Sequence, residues 1–425
     1  MNVSQSKGPM PMLTAIRSDG VTISLMDHWS REELTALRKE KQFLCPDCTE
    51  PVVLKLGRKK AWHFAHDHGR FCTSSIKNET EAHIQGKWFL SDWLKKQHIT
   101  PRVEHPLPHL GQRPDILYEK DNHTHILELQ HSSILYDHFR KRNSNYEKAG
   151  YKVRWIGITS DISKERFQQI KHLTALDGLL TACPEYGGPL DLTSVYLNPY
   201  TGTFNFNGPF FYLSPRKTFV YSSVENSCCH EASLFPSKRN RPPITITMVD
   251  HYFVHWKKQI LRERSRKRPV KLSAGESFAS TILYNSGTSL SLFPALVCVA
   301  LPSQFFLITR PVVWQSWVLI GFIHTIPAGL RFSLSQLTKA FLRHVEKQRF
   351  IMRELPFNRL TMVKLLLTEY LNVLTEFGVV AKTGEVVYEV CRYITVQKPM
   401  DVLMRDDEYI QSFMRAYWKK QWLKF

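Results

Sequence analysis

The chain has 425 residues, 43% hydrophobic and 22% charged, which suits a globular protein of two or three domains and excludes a disordered or collagen-like chain. Lys and Arg outnumber Asp and Glu 57 to 38, a formal net charge of +19 that points to a polyanionic partner, nucleic acid before membrane. Eight cysteines over this length exclude a disulfide scaffold and fit a reducing cytoplasm with one metal site.

Residues 1–12 lack the apolar core of a secretory signal. Leu13–Ile16 and Val21–Leu25 read as a hairpin around Asp19-Gly20. A helix follows over 29–40, with Ser30 and Glu33 spaced as a capping box. Next come Cys45-Pro46-Asp47-Cys48, a basic strand pair turning at Gly57, and Trp62-His63-Phe64-Ala65-His66. The spacing Cys-x2-Cys-x14-His-x2-His predicts a closed structural zinc site from Cys45, Cys48, His63 and His66. His68 or Cys72 could replace one ligand.

Residues 78–97 have a helical pattern. Glu79, His83 and Lys87 recur every four residues on one face, and Trp88, Phe89, Trp93 and Leu94 supply an apolar face. Pro101–Glu104 is a short strand. Two strands then flank the turn Glu119–Asn122: Arg113–Tyr118, opening with Pro114-Asp115, and His125–Gln130. Glu128 and Gln130 are two apart and share a face, so on a paired hairpin Asp115 and Glu128 can converge on one hard cation such as Mg²⁺. Metal-assisted phosphodiester hydrolysis is the chemistry such a pair serves. By itself the pattern is also that of a solvated hairpin with charged edges.

Leu135–Ala149 is a basic helix with Lys141, Arg142 and Lys148, ended by Gly150. Lys152–Ile158 is the next strand, so the order is that of an α/β core with a mixed sheet. Asp161–Leu180 is expected to be a helix closing that unit. Short strands and loops are expected over 183–245. A helix over Asp250–Arg268 carries the cluster Arg262–Arg268, which could neutralise phosphates or be a solvated linker. The most apolar region, Leu292–Ile323, is interrupted by Pro294, Pro302, Arg310 and Pro311 and falls short of the roughly 20 residues of a membrane span; it reads as buried core. Helices are expected at Leu337–Val345 and Leu360–Phe377, then a hairpin around Thr383-Gly384. Helix, helix, hairpin suggests a winged-helix-like module.

Residues 13–158 resemble the competence protein CoiA family. The resemblance rests on Cys-Pro-x-Cys with His-Phe-Ala-His, Glu79-Thr80-x-x-His83-x-x-x-Lys87, Arg113-Pro114-Asp115, Glu128-Leu129-Gln130-His131-Ser132, Arg142-x-x-x-Tyr146 and Trp155-Ile156. Pro311-Val312-Val313-Trp314-Gln315 matches more loosely. The resemblance implies a nuclease-like domain of the PD-(D/E)XK restriction-endonuclease superfamily and a role in natural transformation, where incoming single-stranded DNA is recombined into the chromosome. It carries Glu79, Asp115, Glu128 and Gln130 onto the nuclease motif, with His83, Lys87, Arg142 and Tyr146 around it. Gln130 stands where the superfamily has lysine. A lysine offers a cation to the developing phosphorane charge, whereas an amide orients a water or bonds an oxygen; Lys87 or His83 could supply the missing cation.

The expected architecture is therefore an N-terminal zinc-finger-like module (1–75), a restriction-endonuclease-like mixed-sheet domain (76–180), a linker and irregular region with a basic helix (181–270) and a helical, winged-helix-like C-terminal domain (271–425). The expected function is cytoplasmic DNA processing by a Mg²⁺- or Mn²⁺-dependent deoxyribonuclease. Its DNA would be single-stranded or branched, met by Arg113, Lys141, Arg142 and Tyr146, with recombination proteins as further partners. Two other classes fit the residues: a non-catalytic recombination mediator, and a scaffold for acidic proteins.

Overall fold

The computed structural model describes residues 11–27, 29–46, 48–58, 62–66, 80–159, 167–184, 187–236 and 244–422. In chain order its elements are β1 (Pro11–Met12), β2 (Thr14–Arg17), β3 (Thr22–Ser24), α1 (Arg31–Glu40), β4 (Phe43–Leu44), β5 (Pro51–Lys55), β6 (His63–His66), α2 (Glu81–Lys95), β7 (Arg102–Val103), β8 (Ile116–Lys120), β9 (His123–Gln130), α3 (Tyr136–Lys148), β10 (Lys152–Ile158), β11 (Phe167–His172), α4 (Ala175–Leu179), β12 (Ser194–Asn198), β13 (Thr203–Ser214), β14 (Lys217–Glu225), α5 (Ile246–Arg264), α6 (Ala274–Asn285), α7 (Pro311–Ser316), β15 (Arg331–Ser333), α8 (Leu334–Glu346), α9 (Arg359–Glu376), β16 (Val380–Lys382), β17 (Val387–Val390) and α10 (Met400–Trp422). They divide between two compact units: 1–165 with 194–206 and 223–235, and 166–193 with 207–222 and 236–425.

The first unit opens with a six-stranded sheet ordered β1-β6-β5-β4-β2-β3. Ser30 caps α1 as the sequence predicts: its side chain accepts from Glu33 N, and the Glu33 carboxylate accepts from Ser30 N. The second sheet of this unit begins β7-β8-β9-β10-β12, with β9 and β10 parallel and β8 antiparallel to β9. Strand β8 starts later than predicted, at Ile116, and both strands continue further into the turn, leaving two residues there, Asp121-Asn122. Both turn residues have φ near +50 to +60°, which Asp and Asn tolerate and which matches the twist of a tight hairpin.

Strand alternation assigns the two faces of β9. Leu127 and Leu129 pack with Ile84, Leu90, Trp93 and Leu94 of α2, while Ile126 packs with Leu117 and Tyr146 on the α3 side. Gly86 lets α2 lie close: a Cβ there would meet Leu129 Cδ1 at 3.0 Å and Ile158 Cδ1 at 3.4 Å. Gly150, with φ +78°, ends α3.

The second unit corrects two expectations. The described part of the predicted helix Asp161–Leu180 is strand β11 followed by the short α4. Phe167–His172 pair antiparallel with Lys217–Ser222, a non-local ladder that overrides local helical propensity. Residues 183–245, expected to form short strands, include the 12-residue β13 and the nine-residue β14.

Three arginines of the basic cluster at the end of α5 are paired inside this unit, while Arg262 and Lys267 are exposed. Arg264 Nη2 donates to Asp407 Oδ1 at 2.7 Å, Arg266 Nη1 to Glu276 at 2.9 Å and Arg268 Nη1 to Glu263 at 2.9 Å; Arg310 Nη1 joins at Glu276, 2.9 Å. Leu296–Leu301 and Val312–Ile320 lie in the core, as expected. Strands β15, β17 and β16 form a three-stranded sheet in that order, with α8 and α9 between β15 and β16 in sequence.

Candidate functional site

Asp115 lies directly before β8, at the end of the strand rather than within it. Its Oδ2 accepts from the backbone N of Leu129 at 2.8 Å and lies 3.2 Å from His83 Nε2 on α2. The same His83 nitrogen is 3.1 Å from the Leu129 carbonyl. Helix α2 and the hairpin therefore meet at Asp115.

Glu128, by contrast, is mid-strand and faces α3. One of its oxygens, Oε1, accepts from Arg142 Nε at 2.9 Å, Arg142 Nη2 at 2.7 Å and Tyr146 Oη at 2.7 Å. Burial pulls the Arg142 guanidinium towards its neutral form, but Glu128, Tyr146 and Asp115 together hold it above its ordinary range. Burial and the neighbouring Glu128 both push Tyr146 well above a normal phenol. Tyr146, expected at the DNA surface, is fully buried instead. Arg142 is likewise committed to Glu128 and, through Nη2, to the Arg113 carbonyl at 2.6 Å.

A cleft of about 820 Å³ opens beside these residues. It is lined by His83, Asp115 and Gln130 with Arg113, Lys141 and Arg142. Gln130 is 6% exposed; its Nε2 donates to Ser132 O at 2.7 Å, and its Oε1 is buried with no hydrogen-bond partner among the described residues. A carboxylate and an unsatisfied amide oxygen are hard donors, the type that Mg²⁺ and Mn²⁺ accept. Glu79, the third expected acid, lies outside the described residues.

Lys87 is brought to an acid that the motif does not include. Its ammonium, fully buried, pairs with Glu104, whose other oxygen accepts from Thr14 Oγ1 at 2.7 Å. Glu104 also lines the cleft, is 5% exposed, and has φ +50°. Sequence reasoning treated it as a strand residue only. The available signal was Lys87 itself, since a lysine on the inner face of a helix requires an anion beside it.

Upstream, Cys45, Cys48 and His66 place their ligand atoms within 4.8 Å of one another, with Cys48 Sγ 3.8 Å from His66 Nε2. A tetrahedral zinc with bonds of about 2.0–2.3 Å has ligand edges of roughly 3.3–3.8 Å, so this spacing fits a metal. His63 is not in the group. It lies three residues before His66 on the same strand, and that odd spacing sends it to the opposite face. His68 and Cys72 lie outside the described residues.

The comparisons with known proteins agree along the length of the chain. Residues 26–75 match "Competence protein CoiA, N-terminal domain", residues 79–236 match "Competence protein CoiA, nuclease-like domain" and residues 253–403 match "Competence protein CoiA, C-terminal domain". Competence protein CoiA of Bacillus subtilis (strain 168) is 27% identical over 291 residues, which cover 66% of this chain and 72% of that protein. The chain belongs to the competence protein CoiA family. No solved structure matches it.

In this CoiA-family chain, then, the nuclease-like domain contains the cleft, His83, Asp115 and Gln130. The metal-capable group lies in the N-terminal domain. Among the described residues no helix is long and apolar enough to cross a membrane.

Proposed function

We propose that this protein processes DNA during natural transformation, acting on single-stranded or branched DNA in the cytoplasm by metal-dependent phosphodiester hydrolysis. The observation that carries the reading is the cleft, where Asp115 and the unsatisfied Gln130 Oε1 sit beside Arg113 and Lys141. Acid and amide oxygens would hold Mg²⁺ or Mn²⁺, and the two cations would hold the phosphodiester backbone. A bound metal supplies Lewis-acid polarisation of a phosphoryl oxygen and hydroxide near neutral pH. Within this chain, Leu129 N and His83 orient the Asp115 carboxylate, Gln130 positions a water or metal ligand, and the Glu79 carboxylate is a further candidate ligand. Glu104 pairs with the buried Lys87 ammonium, so the two charges offset each other inside the domain.

Cys45, Cys48 and His66 are proposed to hold a structural zinc, their thiolate and imidazole donors being those zinc prefers. For the C-terminal module we propose a winged-helix fold: the order β15-α8-α9-β16-β17 and a sheet ordered β15-β17-β16 support it. Recombination proteins are the proposed macromolecular partners besides DNA.

Hydrolysis of labelled single-stranded and displaced-strand DNA with Mg²⁺, wild type against Asp115→Ala, tests the reading. Equal cleavage by both rejects the site. A second reading, a DNA-binding mediator with a degenerate nuclease fold, is favoured by one observation: Glu128 is already neutralised by Arg142. It predicts salt-dependent DNA binding with no Mg²⁺ uptake by calorimetry.

A further inference from the structure

The second unit contains a surface that the cleft does not use. Helix α9 begins at Asn358, whose side chain accepts from the backbone N of Leu360 at 2.9 Å and of Thr361 at 3.3 Å. Its inner face is core: Met362, Val363, Leu366, Leu367, Tyr370 and Leu371 are buried. Its outer face begins with exposed Arg359 and Leu360 and continues through exposed Thr361, Lys364 and Leu365 to half-buried Thr368 and Asn372. Positions 361, 364, 368 and 372 recur at helical spacing, so they form one stripe.

The charge on this stripe is one-sided. The first acid of α9, Glu369, is turned inward and accepts from Ser303 N at 2.9 Å; the next is Glu376, at the last position of the helix. Arg359 and Lys364 have no acid partner among the described residues, and the same holds for exposed Lys382 at the start of the β16–β17 turn. Some exposed cations of this unit are matched, as Lys257 is by Glu408 at 2.8 Å and Arg415 by Asp250 at 2.7 Å, while others, such as Lys258 and Lys339, are exposed like these. Here the cations are left open, interleaved with short hydroxyl and amide side chains.

We propose that the outer face of α9, with the β16–β17 turn beside it in the chain, docks into the major groove of duplex DNA. The occupant follows from the chemistry. A protein-binding face of this size would carry an apolar centre, whereas the exposed large apolar residues here are scattered: Leu360 and Leu365 at the first turns of α9 and Val386 in the β16–β17 turn. Arg359, Lys364 and Lys382 suit phosphates. Thr361, Thr368 and Asn372 are of the length and donor–acceptor type that read base edges, and a leucine can meet a thymine methyl. In a helix-turn-helix arrangement the second helix enters the groove by its N-terminal residues, the end of α9 where the exposure is greatest. This assigns the C-terminal domain a duplex-binding task, separate from the single-stranded or branched substrate proposed for the cleft. It would hold the recipient duplex.

Fluorescence anisotropy of the full-length protein in EDTA, on a 30-base-pair duplex and on the matching single strand, tests this. Arg359→Ala/Lys364→Ala is expected to weaken duplex binding about tenfold and to flatten the log K against log [salt] slope by about 2, one unit for each phosphate no longer neutralised. Single-strand binding and Mg²⁺-dependent hydrolysis should be unchanged. Lys382→Glu, a separate element, should weaken duplex binding alone, and Arg359→Lys/Lys364→Arg should retain it. Arg113→Ala/Lys141→Ala in the cleft should show the opposite pattern, losing single-strand binding and keeping the duplex. Unchanged duplex affinity in both the α9 and the Lys382 variants overturns the proposal, as does an equal loss on both DNAs. All three side chains are exposed, so an unchanged melting midpoint checks the fold.

Discussion

Arg142 donates through two nitrogens to one carboxylate oxygen of Glu128, at 2.9 and 2.7 Å, from the helix that follows the strand bearing the acid. Glu128 is fully buried, so this pair is a structural joint between β9 and α3. Removing the cation strands a buried charge. Arg142→Ala is expected to destabilise the protein by about 3–5 kcal/mol in urea unfolding. Glu128→Gln/Arg142→Met should recover much of the loss, because the charge and its partner leave together. A loss below about 1 kcal/mol in the single variant would mean that solvent reaches Glu128.

Gln130 carries the sharpest question about chemistry. If its unsatisfied Oε1 serves the metal or its water, Gln130→Ala should raise the Mg²⁺ concentration needed for half-maximal cleavage by about 10–100-fold, with DNA affinity in EDTA unchanged. Titration of cleavage against Mg²⁺ reads this directly. An unchanged Mg²⁺ dependence would leave the amide with only its Ser132 hydrogen bond.

Metal content should separate the two histidines of β6. Wild-type protein is expected to contain one zinc by elemental analysis. Cys45→Ser and His66→Ala should lose it and lower the melting temperature, while His63→Ala should keep it. Equal loss in both histidine variants would return His63 to the ligand set.

Helix α9 has a built-in pH dependence. Burial raises the Glu369 carboxyl from its ordinary 4.5 to about 7, against two hydrogen bonds from Ser303 that favour the anion. Between those values the folded chain holds a proton that the unfolded chain has released. Stability from this group is therefore complete below about 4.5 and declines as pH rises to 7. Thermal melts of the wild type should show that decline, and Glu369→Gln should flatten it. A variant with the same pH slope as the wild type would assign the effect elsewhere.

Packing of α2 against the sheet supports the Asp115 site at a distance. Gly86→Val would drive a branched side chain into Leu129 and Ile158, where even one carbon sits at 3.0 Å. The expected cost is about 1–3 kcal/mol. His83 is one turn away on α2, with its Nε2 3.1 Å from the Leu129 carbonyl. Cleavage should therefore fall more than stability alone explains at temperatures where the variant is fully folded.

Much of the frame was legible in the sequence because it depends on neighbours along the chain. Ser30 with Glu33 announced α1, Asp121-Asn122 announced the hairpin turn, and the Cys-Pro-x-Cys knuckle announced two metal-capable thiols. Alternation along His125–Gln130 gives Glu128 and Gln130 one face. The same reasoning applied between His63 and His66 would have separated them, since three residues along a strand reverse the face.

What the tertiary structure alone decided is which groups those faces meet. Asp115 and Glu128 flank the paired residues Ile116 and Leu127 of one hairpin, yet one is held by α2 and the other by α3. Lys87 is matched by Glu104, 17 residues away, Arg264 of α5 by Asp407 and Arg266, just after that helix, by Glu276. Residue type announced charges that had to be neutralised, but the choice of partner depends on how separate elements pack. That packing is set by burial summed over whole faces, which no local spacing records.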